Sequence, residues 1–176
     1  SLILGESVVF LRVLCAVVAS VTLVACSPEY NWREVGISGS GVTVIFPDKP
    51  KVDEKRFVFE GETLVLSMTG TTVKNAIFAV GHAPLSAGIQ ADETARQALY
   101  QQVVGSFFSN FDQPVPNPLP ATGELFVVTG EGPNGGMQLS AKVWMFPDHL
   151  LEVIVVAPKS NFPEEQAREF FSGVAF

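Results

Sequence analysis

Thiol chemistry is almost missing from this chain. Its only cysteines, Cys15 and Cys26, both lie in the N-terminal apolar region. Everything after Cys26 therefore lacks a disulfide, a thiolate metal ligand and a cysteine nucleophile, and an oxidising compartment would leave it unharmed. Histidine is nearly as scarce. His82 and His149 are the whole supply, with no His-x-x-x-His or His-Glu pair, which argues against a transition-metal site. Positive charge is in the minority, 11 Lys+Arg against 18 Asp+Glu for a net charge of −7. That sign opposes a nucleic-acid surface and polybasic attachment to anionic lipid. The acidic residues are scattered, so they read as a solubilising surface and not as an acidic docking face. No serine stands in Gly-x-Ser-x-Gly. The glycine-rich stretch 130–136 (GEGPNGG) leads into a strand and lacks Gly-Lys-Ser/Thr, so it is no phosphate cradle. The neighbouring carboxylates Asp53-Glu54, Asp92-Glu93 and Glu164-Glu165 fall on turns or helix starts, where they read as caps and solvated charge, not as a glycosidase pair. Asp148-His149 is explained by a turn, and His149 and Glu152, an odd number apart, fall on opposite faces of a strand. No catalytic residue, cofactor or metal ligand is assigned.

What is present begins with an apolar run. Residues 13–25 (VLCAVVASVTLVA) have the length of a signal-peptide core and fall short of the roughly 20 apolar residues of a membrane-spanning helix. Glu6 interrupts the apolar residues upstream, and Arg12 reads as the remnant of a basic n-region. The run ends in Leu23-Val24-Ala25-Cys26, which resembles the lipobox of bacterial prolipoproteins. The resemblance implies that the Cys26 thiol receives a diacylglycerol, that the leader is cut after Ala25, and that the new amino group can be acylated. Two or three acyl chains hold firmly, at about 0.8 kcal/mol per buried CH₂. Cys15 fits poorly because bulky Leu14 precedes it; the competing reading is an uncleaved anchor helix with a chance cysteine. Ser27 stands where an Asp favours inner-membrane retention, so the resemblance implies the outer membrane, facing the periplasm. The expected division is a signal peptide at 1–25, a lipidated tether at 26–41 and one domain at 42–176, a size that supports a full core without staples.

The tether, with Pro28 and three glycines, includes Tyr30 and Trp32, expected to pack on the domain or to touch lipid headgroups. Beyond it the apolar period becomes two. Strands are expected at Val42–Phe46, Lys55–Phe59, Glu62–Thr72 and Ala76–His82, with turns at Glu60-Gly61 and Lys74-Asn75. From Asp92 onward, Ala95, Leu99, Val103, Phe107 and Phe111 recur every fourth residue, an amphipathic helix whose phenylalanines face a core. Residues 113–120 (QPVPNPLP) predict an extended polyproline-like connector. Three more strands follow at Glu124–Thr129, Met137–Phe146 and Leu150–Ala157, the last nearly all apolar and so expected to be central. A closing helix is expected to be capped by Asn161. The sum is an α+β fold, an antiparallel sheet of about six to seven strands with one long and one C-terminal helix packed on it.

The segment Phe46-Pro47-Asp48-Lys49-Pro50, the meander, the Ala/Arg-containing helix and the ending VVAPKSNFPEEQAREFFSGVAF resemble a group of small bacterial lipoproteins and exported proteins of unknown function. Their closing helix is similar to that of the PsbP-like α/β sandwich. The resemblance implies a binding or assembly scaffold without catalytic residues. The expected function is a lipid-anchored, non-catalytic protein-binding module of the cell envelope, held to the membrane by Cys26 and partnered by another envelope protein, with contacts through 113–120, 130–136 or an open sheet face. The alternatives are a carrier of a small apolar ligand and a hydrolase whose site is assembled by the fold around His82 or His149.

Overall fold

The computed structural model describes residues 29–176; Leu23, Val24, Ala25 and Cys26 lie outside the described residues. Eight strands and three helices follow one another: β1 (Arg33–Ile37), β2 (Val42–Phe46), β3 (Lys51–Phe59), β4 (Glu62–Val73), β5 (Ala76–Pro84), α1 (Ala87–Ala91), α2 (Glu93–Ser109), β6 (Phe126–Gly132), β7 (Gly135–Met145), β8 (His149–Pro158) and α3 (Glu164–Ser172). Six strands form one antiparallel sheet in the order β3-β4-β5-β8-β7-β6, and β1 and β2 pair as a separate ribbon. The fold is α+β. No helix among the described residues is long and apolar enough to cross a membrane.

Strand β8 is central, as its apolar run requires. Its odd-numbered residues Leu151, Val153 and Val155 pack with Val44 and Phe46 of the ribbon and Phe170 of α3. Its even-numbered Leu150 and Ile154 share a second cluster with Val104 of α2, Phe126 and Val143. Both faces of the sheet are thus covered, by the ribbon and α3 on one side and by α1 and α2 on the other. Phe107 and Phe108 of α2 flank Phe126 with ring centroids at 5.9 and 5.6 Å. Phe170 meets Phe46 and Phe78 at 5.3 and 5.4 Å.

The two expected turns form as the sequence indicates. Glu60, Lys74 and Asn75 take positive φ, at 48°, 51° and 37°, the backbone that tight hairpins demand. Asp92 caps α2, accepting from the Ala95 amide at 3.2 Å. The preceding five-residue α1 has no counterpart in the sequence reading. Ser86 caps it, accepting from the Ile89 amide, and the Arg96 guanidinium ties its last turn to α2 by donating to the carbonyls of Ile89 and Gln90.

Four expectations change. Asp53-Glu54 does not fall on a turn but inside β3, which begins at Lys51 and not at Lys55. Residues 33–41 do not continue a tether: Arg33–Ile37 pairs with β2 in register Val35↔Val44. The buried β2 needs a partner for its ladder, and Ile37 joins the core. Order starts earlier still, since Glu29 pairs with Lys74 at 2.5 Å, the Asn31 amide donates to the Pro47 carbonyl, and Tyr30 stacks on Trp32 at 6.1 Å. The stretch 130–136 is not a loop. Gly130–Gly132 and Gly135-Gly136 belong to strands, and only Pro133-Asn134 remain at the turn. Asn161 does not cap the last helix. It ends a 3₁₀ turn at Lys159–Asn161, and Phe162 is extended (ψ 128°), because a residue before proline is pushed out of the helical region. The helix begins only after Pro163, without a side-chain cap.

Phe170 has no exposed surface and joins α3 to the ribbon and the sheet at once. Phe170→Ala is expected to cost about 3–5 kcal/mol, read as a fall in the urea midpoint with an unchanged slope.

Candidate functional site

One end of the sheet holds both a groove and the two histidines. The groove lies between α2, the proline-rich strap at 113–122 and the turn joining β7 to β8. It encloses about 600 Å³ and is lined by Arg96, Tyr100, Gln101, Leu119, Met145 and Pro147 among others. Its walls are fixed by hydrogen bonds. The Tyr100 hydroxyl donates to the Pro120 carbonyl at 2.7 Å, the Met145 amide to Thr122 Oγ1, and the Gly123 amide to the Val143 carbonyl at 2.8 Å. Gly123 permits this path: at φ +76° it lies so near Trp144 that a Cβ would stand 2.7 Å from the indole Nε1. Burial, with Glu124 nearby, raises the Tyr100 phenol above its ordinary value, which keeps it a neutral donor. Leu119 packs against the core and Val115 is exposed, so the expected connector is one wall of a groove.

The same β7–β8 turn carries a polar cluster on the opposite face. Strand pairing sets His82 against Leu151 and Pro84 against His149, so the two histidines lie diagonally across adjacent strands with ring centroids 5.1 Å apart. Phe146 stacks on His149 at 4.6 Å. Asp148 Oδ1 stands 2.7 Å from His149 Nδ1, and this hydrogen bond, first, draws the Asp148 carboxyl below its ordinary value. With Nδ1 donating, Nε2 would be an acceptor, yet it is buried and has no partner. The pair therefore has the orientation of a general base and its orienting carboxylate, but no hydroxyl is hydrogen-bonded to that nitrogen. Burial, then repulsion from His149, lowers the His82 pKa, with Asp148 opposing. No group of three His, Cys, Asp or Glu among the described residues is placed to hold a metal ion.

A third feature, the burial of Glu152, goes beyond the sequence reading, which assigned that residue only a strand face. Glu152 is on the other face from His149, as the odd spacing requires, and is deeply buried with 5% of its surface exposed. It pairs with Gly81, and a Cβ on Gly81 would meet the Glu152 carboxyl at 2.6 Å; the glutamate occupies the space the glycine leaves. Burial, only partly offset by Lys55, pushes its pKa up to about 7. Its signal in the sequence is a lone acid inside an apolar run.

The lipobox residues Leu23, Val24, Ala25 and Cys26 are not among the described residues. Of the expected contact regions, 113–120 forms a groove wall and 130–136 is mostly strand. The open sheet face shrinks to β3 and its neighbour, where Val52 and Val58 are exposed. No family model, curated protein or solved structure matches the chain.

The two buried titratable groups act on stability in opposite directions. A carboxyl raised from 4.5 to about 7 favours folding most below pH 4.5, and that advantage is lost as pH rises to about 7, by about 3 kcal/mol at 1.4 kcal/mol per pKa unit. A histidine lowered from 6.5 weakens the fold as pH falls below 6.5, where the unfolded chain binds the proton first. Urea melts from pH 4.5 to 8 should show Glu152→Gln removing the decline towards alkaline pH. His82→Gln should remove the opposing loss towards acid. Profiles unchanged by either substitution would contradict both assignments.

Proposed function

We propose that this protein is a lipid-anchored, non-catalytic binding module of the bacterial cell envelope, attached through acylated Cys26 at the periplasmic side of the outer membrane. The lipobox-like Leu23-Val24-Ala25-Cys26 and the resemblance to small exported lipoproteins support the anchor. The groove supports the binding role, and it is the observation that carries the reading. It is a concave surface whose walls are held by hydrogen bonds before any partner arrives, with apolar Leu119, Met145 and Pro147 beside polar Arg96, Tyr100 and Gln101. Preformed clefts of a few hundred Å³ with mixed lining are the usual form of a binding site. The chemistry that fits is an extended polypeptide segment of an envelope protein, with apolar side chains set on the floor and backbone groups at the polar rim. The Asp148–His149 pair supports a hydrolase less well, because no hydroxyl nucleophile is bonded to it.

A photo-crosslinking residue at Gln101, in cells, is expected to capture a defined envelope protein, with loss of that product in Cys26→Ala. The same probe at Val58, on the far strand, is expected to capture it much less. Equal capture from both positions would remove the groove from consideration. Lipid retained by the purified protein in native mass spectra would favour an apolar-ligand carrier instead.

A further inference from the structure

The chain enters the domain at the end of the sheet opposite the groove. Glu29 and Tyr30 lie beside Lys74, Asn75, Pro158 and Asn161, where β5 starts and β8 finishes. The groove and the Asp148-His149 turn lie beyond the other end of β5. Nine residues of β5 separate the two ends, about 26 Å at 3.3 Å per residue.

The reach of the chain makes this separation matter. Only Ser27 and Pro28 stand between Cys26 and Glu29, so three Cα–Cα steps of 3.8 Å hold Glu29 within about 11 Å of Cys26, whatever path they take. Glu29 is itself held beside the domain by the backbone bond of Asn31 to the Pro47 carbonyl and by its exposed pair with Lys74. A span of about 11 Å keeps the entry end next to the surface to which Cys26 is attached, so the domain cannot stand inverted with the groove end down and the entry end about 26 Å above it.

Charge runs the same way. The chain reversals at the entry end include Lys74-Asn75, Pro133-Asn134, Lys159-Ser160-Asn161 and the β2–β3 connection at 47–50, beside Asn31. They carry three lysines, three asparagines and one carboxylate, Asp48, which faces Arg33, while Lys74 is paired with Glu29. Glu131 and Asp112 border this tip around Lys159, and Glu164-Glu165 open α3 behind it. At the groove end, the reversals Glu60-Gly61 and Phe146-Pro147-Asp148 and the α1–α2 junction at Asp92-Glu93 carry acids and no basic residue. For a chain with net charge −7, the entry tip is the part an anionic headgroup layer repels least. Ammonium and amide groups there can donate to phosphate oxygens.

We infer that the tip formed by Lys74-Asn75, Pro133-Asn134 and Lys159–Asn161 rests on phospholipid headgroups and that the groove is presented on the side facing away from the bilayer. This rests on acylation of Cys26, and the experiment separates the two. The acylated protein is taken from cells and reconstituted in vesicles of phosphatidylethanolamine and phosphatidylglycerol. No cysteine follows Cys26, so a single dye can be placed through Asn134→Cys at the entry tip or Glu60→Cys at the far end. Energy transfer to an acceptor on the lipid headgroups is expected to be severalfold stronger from position 134. Equal transfer from both positions in a protein whose Cys26 peptide carries the acyl mass would overturn the orientation while leaving the anchor. A Cys26 peptide without acyl mass would overturn the anchor and the orientation together.

Discussion

Strand β8 has to be kept from water on both faces. Its Leu151, Val153 and Val155 have no exposed surface, and Leu150 has 1%, so one covering layer would leave half of its apolar area solvated at roughly 25 cal/mol per Å². The rest of the architecture meets that requirement. Helix α2 crosses one face, and its aromatic last turns reach Phe126 at the sheet edge. The other face takes a composite cover, since the five-residue strands β1 and β2 and the nine-residue α3 are each too small alone. Phe170 works as the joint of that cover because its ring touches both the ribbon and the sheet. The bridge between Thr43 and Ala175 fastens the end of the chain to the ribbon.

The same burial leaves few places for polar chemistry. Among the described residues, titratable groups enter the sheet interior only at Glu152, which lies over Gly81, and at His82, beside the first residue of β8. Neither is balanced by a buried counter-charge at hydrogen-bond distance, and burial moves each towards its neutral form. The groove has a different origin. It forms where the strap must return from the end of α2 to the edge strand β6, and the Tyr100–Pro120 hydrogen bond ties that return path to the helix.

Much of the architecture was legible because it is local. Period-two runs, the turns at Glu60-Gly61 and Lys74-Asn75, and the every-fourth-residue stripe of α2 are each decided within a dozen residues. The apolar run of β8 announced a central strand. Strand β1 was missed because REVGI offers only two large apolar side chains beside two charges and a glycine, and its evidence is the partner it completes. Helix α1 is too short to show a period. The meeting of His82 with His149, and of Gly81 with Glu152, depends on β5 pairing with β8 across two helices and two strands. No sequence window contains that pairing. Proline content marked the strap as extended, yet its role as a groove wall comes from single hydrogen bonds to Tyr100 and Met145.

An open sheet ends in two unpaired edges, and they differ here. The outer strand β3 reads KVDEKRFVF and is exposed along most of its length. Lys51, Asp53, Glu54, Lys55 and Arg56 put both signs of charge along it. Another copy adding itself as a seventh strand would have to bring its own backbone against that hydrated and mismatched row. The edge at β6 has less such protection, since the strand itself bears one charge, Glu131, and Val127 and the preceding Leu125 are exposed. If this domain is driven to self-associate by heat or crowding, the contact should therefore start at β6 and leave β3 free.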